Sequence, residues 1–68
     1  FVGRPCVVRT GEVGPDFGQA EVTADDGSTA IIQVRMAGYA VGSGWIGLIY
    51  EYDAEHEAFW ITPADPAI

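Results

Sequence analysis

Five short runs of β-forming residues, separated by segments that contain glycine or acidic residues, occupy most of the 68-residue sequence. The runs fall at about 5–11, 17–24, 28–36, 44–53 and 57–62, with bounds that sequence patterns place to roughly 2–4 residues. No stretch carries apolar residues at helical spacing over three turns. The pattern therefore predicts an all-β domain with five strands.

The length of the chain and the number of strands favour closure of the sheet. A flat sheet of five short strands would expose two edges, whereas a barrel pairs them. The segment "AGYAVGSG" between the third and fourth runs is too rich in glycine for a stable helix. We therefore expect a small five-stranded OB-type β-barrel without a helix between β3 and β4.

Two connections have the composition of hairpin turns. In "ADDGS", Asp26 and Gly27 are residues that tolerate positive φ in a tight turn between the second and third strands. The polar "DAEHE" between the fourth and fifth strands lacks glycine, which favours a loop of four or five residues around a type I turn.

Alternation along the strands predicts which side chains face the core. In the fourth strand the even positions Ile46, Leu48 and Tyr50 follow the inward pattern, while Ile49 falls on the other parity and needs cover from the barrel closure or from a partner. In the fifth strand, Phe59 and Ile61 are preferred to Trp60 because the indole N–H requires a polar neighbour. The predicted core is Val8, Val22, Ile32, Val34, Ile46, Leu48, Phe59 and Ile61.

The charge of the chain disfavours several partners. Three arginines, no lysine and ten carboxylates give a net charge of −7, which repels a phosphate backbone and an anionic lipid surface. The arginines Arg4, Arg9 and Arg35 are expected to pair with carboxylates on neighbouring strands. The single Cys6 excludes an intramolecular disulfide and is interpreted as a small buried residue.

No group of residues has the pattern of a catalytic or cofactor site. His56 lies among Asp53, Glu55 and Glu57, but one nitrogen ligand in a local acidic cluster lacks the spacing of a structural zinc site. "GYAVGSG" lacks the lysine and the strand-to-helix context of a phosphate loop. We predict no catalytic residues, no metal and no cofactor, and a domain that folds without metal.

Three aromatic residues are the candidate interaction surface. Trp45, Trp60 and Tyr39 either pack against the ends of the barrel or present rings to a base, a sugar or a protein partner. Since the surrounding residues are acidic, a protein surface fits better than a nucleic acid.

The order of "VGRPCVVRTGEV", "GQAEVTADDGSTAIIQV" and "GSGWIGLIYEYDAEHEAFWIT" resembles the OB-fold domains at the C-terminal end of NfeD-like membrane proteins, particularly the YqiJ type. The resemblance covers nearly the whole chain. The strand pattern predicts a single OB domain, with a barrel over about 3–62 and a C-terminal tail over 63–68, and from the start at Phe1 and the ending "TPADPAI" we expect a domain excised from a longer protein. The resemblance implies that this longer protein is a membrane protein, with the domain on the cytoplasmic side. It also implies association with flotillin-like SPFH proteins in membrane organisation.

Two functions follow as hypotheses. The first is a non-enzymatic protein-interaction domain that binds an SPFH-type partner or a second copy of itself. The alternative is an OB module that binds single-stranded nucleic acid or an oligosaccharide, which a salt-dependent response to an oligonucleotide would reveal.

Overall fold

The computed structural model of the chain describes residues 1–38 and 40–64. Within these ranges the secondary structure consists of five strands and their connections, with no helix. The strands are β1 (Pro5–Val8), β2 (Gln19–Thr23), β3 (Thr29–Met36), β4 (Ile46–Asp53) and β5 (Ala58–Pro63). All five predicted strands are therefore confirmed, each bound lying within three residues of its predicted position.

The strands close into a barrel in the order β1-β2-β3-β5-β4, and β4 pairs back onto β1. Every neighbouring pair is antiparallel except β3 and β5, which run parallel from Val34↔Phe59 to Met36↔Ile61. A five-stranded Greek-key barrel of this kind is the OB-type architecture. The connection from β3 to β4 contains no helix among its described residues, as the glycine-rich segment predicts.

The core lies inside the barrel and consists of small and medium-sized apolar side chains. The parity predicted for β2 and β3 is confirmed, since Ala20, Val22, Val34 and Met36 are buried. Outside the strands, Val13 and Val41 form an isolated bridge and are also buried, which the strand pattern did not predict. The buried apolar residues are Cys6, Val8, Val13, Ala20, Val22, Val34, Met36, Val41, Ile49, Ala58 and Ile61.

The predicted facing of β4 is wrong. Ile49 is fully buried, whereas Ile46 is 55% exposed and Leu48 is only half-buried. The backbone of Gly47 faces inward, and the Trp45 ring and the end of Ile61 fill the space that a side chain there would occupy. Because glycine adds nothing to a hydrophobic pattern, alternation counted the wrong set of residues as inward.

A β-bulge divides β4 into two halves with different facing. Ile49 pairs with Ile61 and Glu51 pairs with Trp60, so Tyr50 is the extra residue and is exposed. Beyond the bulge the even position Tyr52 lies opposite Phe59. Two predicted core residues near this end of the barrel, Ile32 and Phe59, are only half-buried because the barrel is open here.

Both predicted hairpin connections are present. In the β2–β3 turn, Gly27 has a φ of 89°, and the Asp26 carboxylate accepts hydrogen bonds from the N–H and the hydroxyl of Ser28. Only the glycine, and not Asp26, takes a positive φ. The β4–β5 loop has four residues between Asp53 and Ala58, and Glu57 adopts a φ of 52° at its end.

Candidate binding site

The open end of the barrel carries an apolar groove, which we call the aromatic groove. It has a volume of about 560 Å³ and is lined by Phe1, Val2, Ile32, Gln33, Tyr52, Glu57 and Phe59. Phe1, Val2 and Tyr52 are 45%, 56% and 46% exposed, which is unusual for large apolar side chains that neighbour one another.

The Phe59 ring holds the aromatic groove together. The Phe1 ring meets it edge-on with centroids 6.0 Å apart, and the Tyr52 ring lies 4.7 Å away at a tilt. Such geometries add roughly 0.5–1.5 kcal/mol to a pair beyond the area it buries. The N-terminal turn that carries Phe1 is fixed by a hydrogen bond from Gly3 N–H to the Ile49 carbonyl, 2.7 Å. The three rings therefore contact one another in the absence of a partner.

A second, smaller cavity lies between the β1–β2 connection and the β4–β5 loop, and we call it the loop cleft. Its volume is about 270 Å³, and it is lined by Pro15, Asp16, Arg35, Asp53, His56 and Trp60. Ligands of OB folds bind between these two loops in other proteins. The loop cleft offers one indole ring, one guanidinium group, one imidazole and two carboxylates.

Asp53 organises the wall of the loop cleft. Its Oδ1 accepts hydrogen bonds from the N–H groups of Glu55 and His56, at 3.1 and 3.2 Å. Its Oδ2 lies 2.8 Å from His56 Nδ1 and accepts a long hydrogen bond of 3.5 Å from Trp60 Nε1. The sequence predicts a polar neighbour for the Trp60 indole N–H, and the Asp53 carboxylate is that neighbour.

The pair formed by Asp53 and His56 shifts both pKa values. The hydrogen bond from Asp53 and its negative charge raise the pKa of His56 above its ordinary value of 6.5. The same hydrogen bond lowers the pKa of Asp53 below 3.8. Both groups therefore carry charge over a wider pH range than they would in an unfolded chain.

Ligand atoms of Asp53, Glu55 and His56 lie within 4.8 Å of one another, so their grouping resembles a cation site. However, the Asp53 oxygens already accept backbone and imidazole hydrogen bonds. One nitrogen ligand beside one half-buried and one exposed carboxylate also falls short of the ligand sets of structural zinc sites. The arrangement therefore acts to close the β4–β5 loop.

The predicted ion pairs are present for two of the three arginines. Arg4 pairs with Asp25 and Arg9 pairs with Glu21. Arg35 instead donates to the carbonyls of Val34 and Gly18, at 2.7 and 3.3 Å, and no carboxylate of the described residues lies in salt-bridge contact with it. Its guanidinium therefore adds positive charge to the loop cleft.

The structure does not bring the predicted aromatic residues together. Trp60 lies in the loop cleft opposite Glu51, while Trp45 precedes β4 and packs against the core beside Gly47. Glu51 lies six positions along the chain from Trp45, which is roughly 20 Å in an extended strand. Tyr39 lies outside the described residues.

The sequence pattern does not predict the aromatic groove. It places Phe59 in the core and gives no role to Phe1, Val2 or Tyr52. The position of Tyr52 opposite Phe59 depends on the bulge at Tyr50, which has no glycine or proline to signal it. The surplus of large apolar residues in the fourth and fifth strands was the only available signal.

Cys6 is buried, and its burial raises the pKa of the thiol. The thiol is therefore held in its neutral form inside the barrel, as a small apolar residue would be.

The fold is a small OB-type barrel, and its surface carries the aromatic groove and the loop cleft among its cavities. Comparison with protein-family models, with curated proteins and with solved structures gives no match. Among the described residues, no helix has the length and apolar character needed to cross a bilayer.

Proposed function

We propose that the chain is a non-enzymatic protein-interaction domain of an NfeD-like membrane protein of the YqiJ type, and that its partner is a flotillin-like SPFH protein. The observation that carries the proposal is the aromatic groove. The choice of partner follows from the resemblance of the sequence to that family.

The composition of the aromatic groove supports a protein ligand. Protein interfaces are enriched in aromatic residues, and the few residues that dominate the binding energy lie near the centre and are most often tryptophan, tyrosine or arginine. Since the rings of Phe1, Tyr52 and Phe59 already contact one another, their ordering on binding costs little side-chain entropy.

Charge supports the same class of ligand. The net charge of −7 opposes a phosphate backbone but suits a partner surface that carries lysine and arginine. The aromatic groove also has a carboxylate at its rim, that of Glu57.

The test is binding of the 68-residue chain to a purified SPFH-domain protein, measured by calorimetry. Tyr52→Ala should weaken binding about 30-fold, the effect of a residue that contributes about 2 kcal/mol at an interface. Tyr50→Ala is the matched control, since Tyr50 is exposed to a similar extent, 48% against 46%, two residues away and outside the groove. It should change the affinity less than about twofold.

Two results would contradict the proposal. An equal loss of affinity in Tyr52→Ala and Tyr50→Ala would show that the aromatic groove is not part of the interface. If the 68-residue chain is folded by circular dichroism but does not bind the SPFH-domain protein, the choice of partner is wrong.

The loop cleft favours a second candidate, an OB module that binds an oligosaccharide or single-stranded nucleic acid. The Trp60 indole offers a stacking surface and Arg35 a guanidinium. The Asp16 carboxylate can accept hydrogen bonds from sugar hydroxyls, and the charges of Asp16 and Asp53 both repel phosphates, so within this candidate an oligosaccharide fits better.

Trp60 fluorescence in a Trp45→Phe variant tests the second candidate. A saturable change with neutral oligosaccharides, absent with oligothymidylate at low salt, would favour the sugar. A salt-dependent change with oligothymidylate would favour nucleic acid, and no change with either would exclude the loop cleft as their site.

A further inference from the structure

The first half of β3 has a free backbone edge. β3 pairs with β2 along Thr29–Thr23 to Gln33–Gln19, but it pairs with β5 only from Val34 onward. The Val34 N–H donates to the Gly18 carbonyl, on the β2 side. Because backbone groups alternate along a strand, the N–H groups of Thr29, Ile31 and Gln33 point away from β2.

No described residue pairs with this edge. The only isolated bridge in the described part of the chain joins Val13 and Val41, and no turn or loop hydrogen bond involves Thr29, Ile31 or Gln33. The edge therefore presents the N–H groups of Thr29, Ile31 and Gln33, together with the carbonyls of Thr29 and Ile31, to an incoming strand.

The sequence of this edge lacks the features that normally prevent strand addition. The stretch "TAIIQV" contains no charge, no proline and no glycine, and Ile31 is 57% exposed. Native proteins usually protect a free edge with a lysine, a proline or a bulge. The edge also borders the aromatic groove, since Ile32 and Gln33 line it.

We infer that the edge from Thr29 to Gln33 binds an extended segment of a basic partner protein as an added β-strand, with alternate apolar side chains in the aromatic groove. This inference rests on the proposed interaction function and specifies how the partner binds. Main-chain hydrogen bonds supply affinity in this mode of recognition, and pockets for alternate side chains supply specificity. Five residues of the partner, about 17 Å of strand, cover the edge.

The charges at the two ends of the edge identify the basic partner. The exposed carboxylate of Asp26 lies in the turn that precedes β3, and Glu57 lies where β5 begins. Lysine or arginine residues that flank an apolar segment would meet these carboxylates.

A second copy of the chain fits this edge poorly. Two β3 edges paired around a twofold axis at Ile31 would place Thr29 of one copy opposite Gln33 of the other. The turn that carries Asp26 would then approach Glu57 of the other copy, and each copy brings a net charge of −7. Like charges in such a position are unfavourable.

The test uses a synthetic probe, acetyl-Lys-Lys-Val-Thr-Val-Thr-Val-Lys-Lys-amide, and amide NMR of the 68-residue chain. The amide signals of Ile31 and Gln33 should shift on titration, and their hydrogen exchange should slow at least tenfold on saturation. A peptide N-methylated at alternate residues should not bind, because it cannot form the ladder. A peptide with glutamate in place of lysine should bind at least tenfold more weakly.

Two variants provide a matched pair of isoleucine residues. Ile31→Lys and Ile46→Lys replace side chains that are 57% and 55% exposed and change the net charge equally. Ile31→Lys should weaken binding of the lysine peptide at least fivefold, because the substitution places a cation on the edge. Ile46→Lys should leave its affinity unchanged within about twofold, because Ile46 pairs with Val7 away from the edge.

Three outcomes would overturn the inference. Equal binding of the N-methylated peptide would show that side chains alone carry the contact, and self-association abolished by Ile31→Lys would identify a second copy as the occupant. Failure of the peptide to bind, while an SPFH-domain protein still binds in a Tyr52-dependent manner, would reject strand addition but leave the proposed function intact.

Discussion

Replacement of Ile49 by alanine should destabilise the barrel far more than the same replacement of Ile46. Ile49 is fully buried and pairs with Ile61 in the core, whereas Ile46 is 55% exposed on the outer face of the same strand. A buried isoleucine truncated to alanine loses its transfer free energy and leaves a cavity, at a cost of about 2–5 kcal/mol. Ile46 buries less than half of its surface, so its truncation should cost about 1 kcal/mol or less.

These magnitudes are large for a domain of this length. At roughly 0.05–0.15 kcal/mol per residue, the whole chain has a free energy of unfolding of about 3–10 kcal/mol. With a urea slope of about 1 kcal/mol/M, the midpoint should fall by about 2 M or more for Ile49→Ala and by about 1 M or less for Ile46→Ala. Ile49→Val, expected to cost about 0.5–1.5 kcal/mol, supplies a measurable value if Ile49→Ala is unfolded in water.

The assay is urea unfolding followed by tryptophan fluorescence at a fixed temperature, with the slope compared among variants. Equal midpoints for Ile49→Ala and Ile46→Ala would refute the burial argument. A larger loss for Ile46→Ala would show that the even residues of β4 face the core, as sequence alternation predicts.

Three further predictions concern single sites. Gly47→Ala should destabilise the fold by about 1–3 kcal/mol in thermal unfolding, because its Cβ would lie 2.7 Å from Trp45 Cζ3. Gly11→Ala is the control and should leave the melting temperature unchanged, since a Cβ at Gly11 meets no atom within 4 Å. Equal effects of the two substitutions would contradict the close approach at Gly47. NMR titration should give His56 a pKa above 6.5, and this pKa should fall in the Asp53→Asn variant. The pair should stabilise the fold between the two shifted pKa values, since the His56 contribution is lost as pH rises through its folded pKa and the Asp53 contribution is lost as pH falls through its own. A difference in urea midpoint between wild type and His56→Gln that does not change with pH would contradict this prediction. Trp60→Ala should leave the domain folded, since Trp60 is only half-buried on the outer face; loss of amide signal dispersion would instead make Trp60 a core residue.

The sequence predicted the strands and the barrel because their signals are local. Alternation in β2 and β3 and the "DDG" turn each depend on residues close together in the chain. The facing of β4 could not be predicted because it depends on a distant contact: Ile61 and the Trp45 ring fill the space beside Gly47. The aromatic groove could not be predicted from the pattern either, because the bulge at Tyr50 places Tyr52 opposite Phe59. The interaction surface predicted at Trp45, Trp60 and Tyr39 stays a prediction.

The aromatic groove and the free edge share a structural origin in unequal strand lengths. β3 and β4 have eight residues each, but β5 has six and enters the parallel ladder with β3 only at Phe59. The first half of β3 therefore projects past its neighbour, and the bulge turns Tyr52 toward the gap that remains. A partner strand placed there would complete the sheet on one side and cover Tyr52 and Phe59 on the other. Binding should then raise the stability of the whole barrel, because a ligand that binds only the folded state shifts the unfolding equilibrium.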